Sequence, residues 1–156
     1  MATNGFDIES PIDGVNWRIL TELQRDARLS MAELGRRVGL SAPAAAERVR
    51  RLEDAGVIEG YRAMVRMSAV GRPILAFIRI STHATVKDRV AEIAKGMPEV
   101  IECHRSTGND CFILKVAASS MSHLEVVTDA FTDFGKVATS IVLSSPVSGR
   151  TVDELT

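Results

Sequence analysis

The side chains with the most chemistry on offer lie between Ser30 and Tyr61, in SMAELGRRVGLSAPAAAERVRRLEDAGVIEGY. The chemistry they suit is recognition of a nucleic-acid duplex. The guanidinium groups of Arg36, Arg37, Arg50 and Arg51 can donate to phosphate oxygens, contacts that position a duplex without reading its sequence. Ser41, Ala42, Pro43, Ala44 and Glu47 offer a surface of small side chains with few donors. On such a surface an Ala or Pro can touch a thymine methyl, and a carboxylate can accept from cytosine N4. Close approach then matters more than long donors. Arg48 points to the flank, where it suits an acid partner better than DNA. The plainer reading is a solvated charged helix pair, which the same residues also allow.

Local signals predict the elements that hold these residues. Ser30 with Glu33 has the spacing of a capping box, so a helix is expected from Met31, with Met31, Leu34 and Val38 on one face. Gly39 closes that helix and Leu40 anchors the turn. Ser41 caps a second helix with Pro43 in its first turn, where a missing N–H costs little. Ala45, Val49 and Leu52 recur at i, i+4 and i+7 and face inward. Gly56 ends this helix, and Val57 to Val65 reads as a strand. The pattern is that of a winged helix-turn-helix, in which the start of the second helix meets base edges. An earlier helix, capped by Asp13, carries Val15, Ile19, Leu20 and Leu23 inward and leaves Trp17 off the stripe.

Composition limits the alternatives. The chain has 156 residues, is 46% hydrophobic and carries a net charge of −1, so no global basic signal marks it. From Asp13 to Arg66 ten arginines face eight acids, a net +2. A near-neutral head predicts modest, salt-sensitive affinity per protomer, which favours binding as a multimer. No apolar run approaches the length of a membrane span, and the polar, acidic N-terminus is unlike a signal peptide, so a cytoplasmic protein with no membrane partner is expected. Cys103 and Cys111 fall on opposite arms of an expected hairpin, out of disulfide register. The three histidines lack ligand spacing, so neither a metal nor a cofactor is expected. A small enzyme on this scaffold would need a nucleophile–base pair or a phosphate loop, and the sequence offers neither, so the expectation is no enzyme.

From Pro73 strands alternate with helices: strand Ile74–Ser81, helix Val86–Lys95, strands Val100–Ser106 and Cys111–Ala117 around a turn at Gly108-Asn109, helix Ser120–Phe134, and strand Val137–Leu143. The inward residues are Val86, Val90, Ile93 and Ala94 in the first helix and Met121, Leu124, Phe131 and Phe134 in the second. Ser119 and Ser120 read as caps. The order βαββαβ is that of a ferredoxin-like split βαβ. Both sheet faces are apolar: Leu75 and Phe77 alternate with Ile74, Ala76, Ile78 and Ile80, and Ile113 opposes Phe112, Leu114 and Val116. Two helices cover one face, so Leu75, Phe77 and Ile113 are expected to form a dimer interface with a second copy. Such a homodimer sets two heads on half-sites one DNA turn apart, ~34–36 Å.

Taken together, these residues resemble the Lrp/AsnC, or feast/famine, family of transcriptional regulators, over about Ile12 to Val147. The motifs that carry the resemblance are Ile12-Asp13 with Ile19-Leu20, GLS at Gly39–Ser41, ERVRRLE at Glu47–Glu53, GVIEGY at Gly56–Tyr61 and ECHRSTGNDCFILKV at Glu102–Val116. The resemblance implies an α+β chain: a flexible arm at 1–12, a winged helix-turn-helix at 13–60 and a β-strand linker at 61–73. A ferredoxin-like (RAM-type) effector and oligomerisation domain follows at 74–150, with a tail at 151–156. It implies a sequence-specific regulator of double-stranded DNA, modulated by an amino acid or related small metabolite bound between dimers, with dimers assembling to an octamer. The effector site it implies comprises Gly108, Asn109, Asp110, Cys111, Thr139 and Ser140. Here the chain departs from the family, because Cys111 stands at the position of the family's aspartate and the acid lies one residue earlier. Strand alternation sends neighbours to opposite faces, and a neutral thiol cannot pair with an effector's ammonium as a carboxylate does. The alternatives are a turn with no ligand role at Gly108-Asn109, and a DNA-organising protein of the same family that ignores small molecules. Thr139 and Ser140 can bond an α-carboxylate or simply fill a strand.

Overall fold

The structure, a computed structural model, describes residues 12–82, 87–108 and 111–154. The chain divides into two compact units, Met1–Ala63 with Val147–Thr156, and Met64–Pro146. Against the expected boundaries, the segment from Val147 joins the N-terminal unit instead of ending the sheet domain.

In the N-terminal unit, Asp13 caps α1 (Gly14–Arg25), its carboxylate accepting from the Asn16 N–H at 2.7 Å. Ser30 caps α2 (Met31–Val38), accepting from the Glu33 N–H at 3.2 Å, and Gly39 closes it at φ 77°. The capping box is only half made. The Glu33 carboxylate turns to Arg36 and Arg37 instead, because charge-assisted bonds to guanidinium outweigh one to a neutral N–H. Ser41 caps α3 (Ala42–Asp54), accepting from the Ala44 N–H at 3.3 Å. Ile19, Leu23, Leu34, Val38, Val49 and Leu52 form the core, with Leu40 and Ile58 packed against it. Each such buried side chain contributes about 2 kcal/mol of apolar burial. Trp17 is half-buried, as its position off the stripe implies. The segment from Val147 is fastened to α1 by a two-point amide pair: Gln24 Nε2 donates to the Val152 carbonyl at 2.9 Å, and the Val152 N–H donates to Gln24 Oε1 at 2.8 Å.

The expected wing and strand linker are corrected. Among the described residues no strand lies between Gly56 and Arg72; the chain runs without a ladder partner to a 3-10 turn at Met67–Val70. A strand requires a neighbour for its N–H and C=O groups, and a single copy offers none here. Apart from Ile58, which packs on the helical core, the β-forming residues of this stretch stand exposed, Met64 at 81%.

The second unit is a four-stranded antiparallel sheet of β1 (Ile74–Ser81), β2 (Val100–Arg105), β3 (Phe112–Ala118) and β4 (Lys136–Ile141), in the order β2-β3-β1-β4. Helices α4 (Lys87–Gly96) and α5 (Met121–Asp129) complete the βαββαβ order. Ala76, Ile78, Ile80, Phe112, Leu114 and Val116 pack with Val90, Ala94, Leu124, Val127 and Phe131 in one core. The expected helix Ser120–Phe134 stops at Asp129: Ser120 is its cap, and Thr132–Phe134 is a separate 3-10 turn. Met121, expected inward, is 56% exposed, since the first turn of α5 overhangs a groove described below. Val86 lies outside the described residues. On the opposite sheet face Phe77 is exposed, while Leu75 and Ile113 are half-buried. That face is less apolar than strand alternation suggested, because Lys115 stands opposite Phe77 and Arg79 opposite Ile113. No helix among the described residues is long and apolar enough to cross a membrane.

Candidate nucleic-acid interface and effector site

The exposed side of α3 begins with Ser41, Pro43 and Ala44, all exposed, and Ala42, half-buried. The Ser41 oxygen is engaged as the helix cap, while its hydroxyl proton is available to an outside acceptor. One turn on, Glu47 accepts from Arg50 Nε at 3.1 Å and Nη2 at 2.9 Å, and from Arg51 Nε at 2.9 Å. Arg50 Nη1 donates to Asp54 at 2.7 Å. Hydrogen bonds from Arg50 first, then Arg51, hold the Glu47 carboxyl below the usual carboxylate range.

The four phosphate candidates are therefore all ion-paired, but they are not equivalent. Arg36, Arg50 and Arg51 are 60–74% exposed and bound only within their own helix, in pairs worth little in water. Arg37 is 39% exposed and bridges helices, to Glu33 and to Glu22 of α1, each at 2.8 Å. It clamps α1 to α2 and is the least available of the four. Between Arg36 and Arg37 the Glu33 carboxyl is pulled down to about 2. Arg48 donates to Asp13 at 2.7 Å and Asn16 at 2.9 Å, holding the start of α1 and so taken up within the head. The i,i+3 and i,i+4 spacing of Glu33 with Arg36 and Arg37, and of Glu47 with Arg50 and Arg51, was the sequence signal for this network.

Tyr61 reports on the end of α3. Its hydroxyl donates to Glu53 at 2.9 Å, and desolvation together with that bond pushes the phenol up to about 12. It is the one tyrosine of the chain, so absorbance at the phenolate band titrates it alone. A midpoint near 12 is expected in the native protein, with a partial drop in Glu53→Gln, where desolvation persists, and a return to ~10 on unfolding. Because the folded value is raised, this contribution to stability is full below pH ~10 and fades as pH rises toward 12. A native midpoint of ~10 would show that Tyr61 does not dock on α3.

In the second unit, Gly108 is exposed in the hairpin turn at φ 99°, and Asn109 and Asp110 lie outside the described residues. Cys111 is half-buried against the core, its N–H donating to the Ile80 carbonyl at 2.9 Å and its thiol to the Thr82 carbonyl at 3.2 Å. The Cys111 side chain is thus turned toward the backbone at the end of β1. Thr139 pairs with Ile78, and Ser140 pairs with Phe77. They therefore face opposite sides of the sheet, and their side chains cannot line one pocket together within a single chain. Thr139 Oγ1 lies 3.2 Å from Thr128 Oγ1, whose proton goes to the Leu124 carbonyl at 2.9 Å. Thr139 is accordingly the donor of that pair. It opens on a groove of about 460 Å³ between α5 and β4, lined by Met121, Leu124, Glu125, Thr128, Asp129 and Ile141 among others. Helix α5 supplies most of this lining, and strand periodicity alone did not single those residues out. Among the described residues no His/Cys/Asp/Glu group could hold a metal ion.

A helix-turn-helix head with small side chains and arginines outward, joined to a helix-covered antiparallel sheet, defines a DNA-binding protein with a second, regulatory-type domain. Two family models match it. The AsnC-type helix-turn-helix domain matches residues 12–53, and the Lrp/AsnC ligand binding domain matches residues 75–152. The HTH-type transcriptional regulator YezC of Bacillus subtilis is 42% identical over 134 residues, covering 86% of this chain and 95% of that one. The solved structure of LrpC from B. subtilis superposes with a TM-score of 0.85 at 29% identity, covering 89% and 99% of the two chains. A transcriptional regulator from Neisseria meningitidis, in complex with L-methionine, superposes at 0.84 with 28% identity, covering 90% and 95%. The chain belongs to the Lrp/AsnC family of helix-turn-helix, DNA-binding transcriptional regulators.

Proposed function

We propose that this regulator is modulated by an amino acid or related small metabolite bound between copies, and that occupancy shifts the assembly and hence the affinity for DNA. The observation that carries this reading is the ligand-binding-domain match over 75–152, together with a relative of the same fold holding L-methionine. The mechanism is linkage: an effector that prefers one assembly state increases its population and changes DNA affinity by the same coupling free energy. In this reading Ser41, Ala42, Pro43, Ala44 and Glu47 meet base edges, while Arg50, Arg51 and Arg36 supply phosphate contacts, with Arg37 secondary. Leu75, Phe77 and Ile113 join two copies across the open sheet face, and dimers assemble further, to an octamer. Ser140 shares the Phe77 side and belongs with the dimer face. Thr139, on the other side, is the hydroxyl left for an effector's carboxylate, to which it turns the proton that it gives to Thr128 in the free chain, with the turn at Gly108, Asn109, Asp110 and Cys111 completing the site from between copies.

One observation favours a second reading. The Cys111 thiol bonds to Thr82, so the family's carboxylate has no replacement at that point, which suits a DNA-organising protein insensitive to small molecules. Thermal unfolding of the full chain against each of the twenty amino acids separates the two. At a hundredfold excess over its dissociation constant, a ligand stabilises by about 2.7 kcal/mol. A concentration-dependent rise with one or a few amino acids is expected; no rise with any of them would select the effector-independent reading.

A further inference from the structure

We infer that Glu47 determines DNA specificity by exchange: it holds Arg50 and Arg51 in the free protein and yields them to phosphates only where a base amino group takes their place. This rests on the reading that the exposed side of α3 meets the major groove. The geometry is a shared carboxylate. Glu47 Oε1 receives Arg50 Nη2 and Arg51 Nε, and Oε2 receives Arg50 Nε. Asp54 occupies Arg50 Nη1. Two cations and two anions cancel on this strip of helix, and the third arginine of α3, Arg48, is committed to Asp13. The strip therefore offers little net attraction to an arbitrary duplex.

Arg50 and Arg51 are 60% and 73% exposed, so nothing packed around them prevents a swing toward phosphate. When they leave, Glu47 loses all three donors while DNA displaces water from it. A desolvated, unpaired carboxylate beside phosphates is costly. In the major groove, replacement donors are cytosine N4 and adenine N6. A site presenting such an amino group at the right step restores the partners of Glu47, and a site without one does not. Discrimination then comes from the penalty at wrong sites as much as from the bond at the right one.

The test uses the full-length protein and fluorescence anisotropy, on an operator obtained by in vitro selection and on scrambled DNA, across a salt series. Circular dichroism confirms that each variant is folded. For Glu47→Ala, scrambled DNA is expected to bind roughly tenfold tighter, and the operator-to-scrambled ratio to fall by roughly tenfold or more, with preference lost at one base pair per half-site. Glu47→Gln is expected to move that preference toward adenine, which a Gln amide can contact with both its donor and its acceptor. The Arg50→Ala/Arg51→Ala double variant is expected to weaken both DNAs alike and to flatten the salt slope by about two. Unchanged or weaker scrambled binding by Glu47→Ala, with its operator ratio intact, overturns the exchange. If the arginine pair matters and Glu47 does not, the exchange alone fails. If neither substitution has any effect, the placement of α3 on DNA fails with it.

Discussion

Gly35→Ala is expected to abolish DNA binding while the sheet unit stays folded. An alanine Cβ at position 35 would lie 2.6 Å from the Leu40 carbonyl oxygen and 3.2 Å from the Ser41 carbonyl carbon and oxygen. These are backbone atoms of the turn, and the Leu40 N–H is tied back to the Gly35 carbonyl at 2.8 Å, so the turn cannot step aside without losing that bond. Moving it displaces Ser41, which caps α3, and so tilts the helix that carries Pro43, Ala44 and Glu47. The sign of the effect is diagnostic. In an uncrowded helix Gly→Ala stabilises by about 1 kcal/mol. Overpacking against backbone costs about 1–3 kcal/mol or more, a large part of the stability of so small a unit. The sheet unit keeps its own core and is not touched. Calorimetry with DNA-binding titrations checks this: loss of the head's transition and of affinity is expected, and a stabilised head with normal affinity would disprove the close crossing of α2 and α3.

Gly135→Ala is the counterpart in the second unit. Its Cβ would meet the Ser81 carbonyl oxygen at 2.2 Å and Thr82 Cα at 3.2 Å, and Gly135 holds φ 152°, which side-chain-bearing residues rarely adopt. The contact sits where β4 joins the sheet, one residue before the Lys136–Ser81 pair, and Thr82 Oγ1 donates to the Phe134 carbonyl just beside it. An added methyl must push the start of β4 off β1. Overpacking there, with loss of ladder bonds, is expected to cost about 3 kcal/mol. Amide exchange should rise along β4 and the facing half of β1, while the helical head keeps its protection. Since β4 carries Thr139 and Ser140, any amino-acid stabilisation found for the native protein is expected to disappear. Unchanged exchange along β4 would count against this packing.

Much of this architecture follows from short-range rules. Asp13, Ser30 and Ser41 cap because a side-chain oxygen three residues before a free N–H satisfies it wherever the chain goes next. The strand Ile74–Ser81 and the partner of Cys103, Leu114, follow from alternation and hairpin register. What failed turned on a partner that was absent or on one that competed. The wing was predicted from β-forming residues after Gly56, but forming a strand depends on a neighbour. Glu33 matched a capping box, yet two arginines on the same helix out-competed the backbone. Met121 matched the inward stripe of α5, but it lines the open groove between α5 and β4.

The candidate sites divide in the same way. The sequence by itself determined which groups share the exposed side of α3, because a capped helix and its 100° period set which side chains share a face. By its resemblance it also set Cys111 where the family's carboxylate was expected. Only the tertiary structure decided which of those groups are free to act. It tied Arg37 to α1 and Arg48 to Asp13, gathered Arg50 and Arg51 on Glu47, turned the Cys111 thiol to Thr82, and put Thr139 and Ser140 on opposite faces. The reason is physical: residue type and spacing determine what a side chain can bond to, but a bond spans about 3 Å, and only the folded chain determines which partners come within that reach.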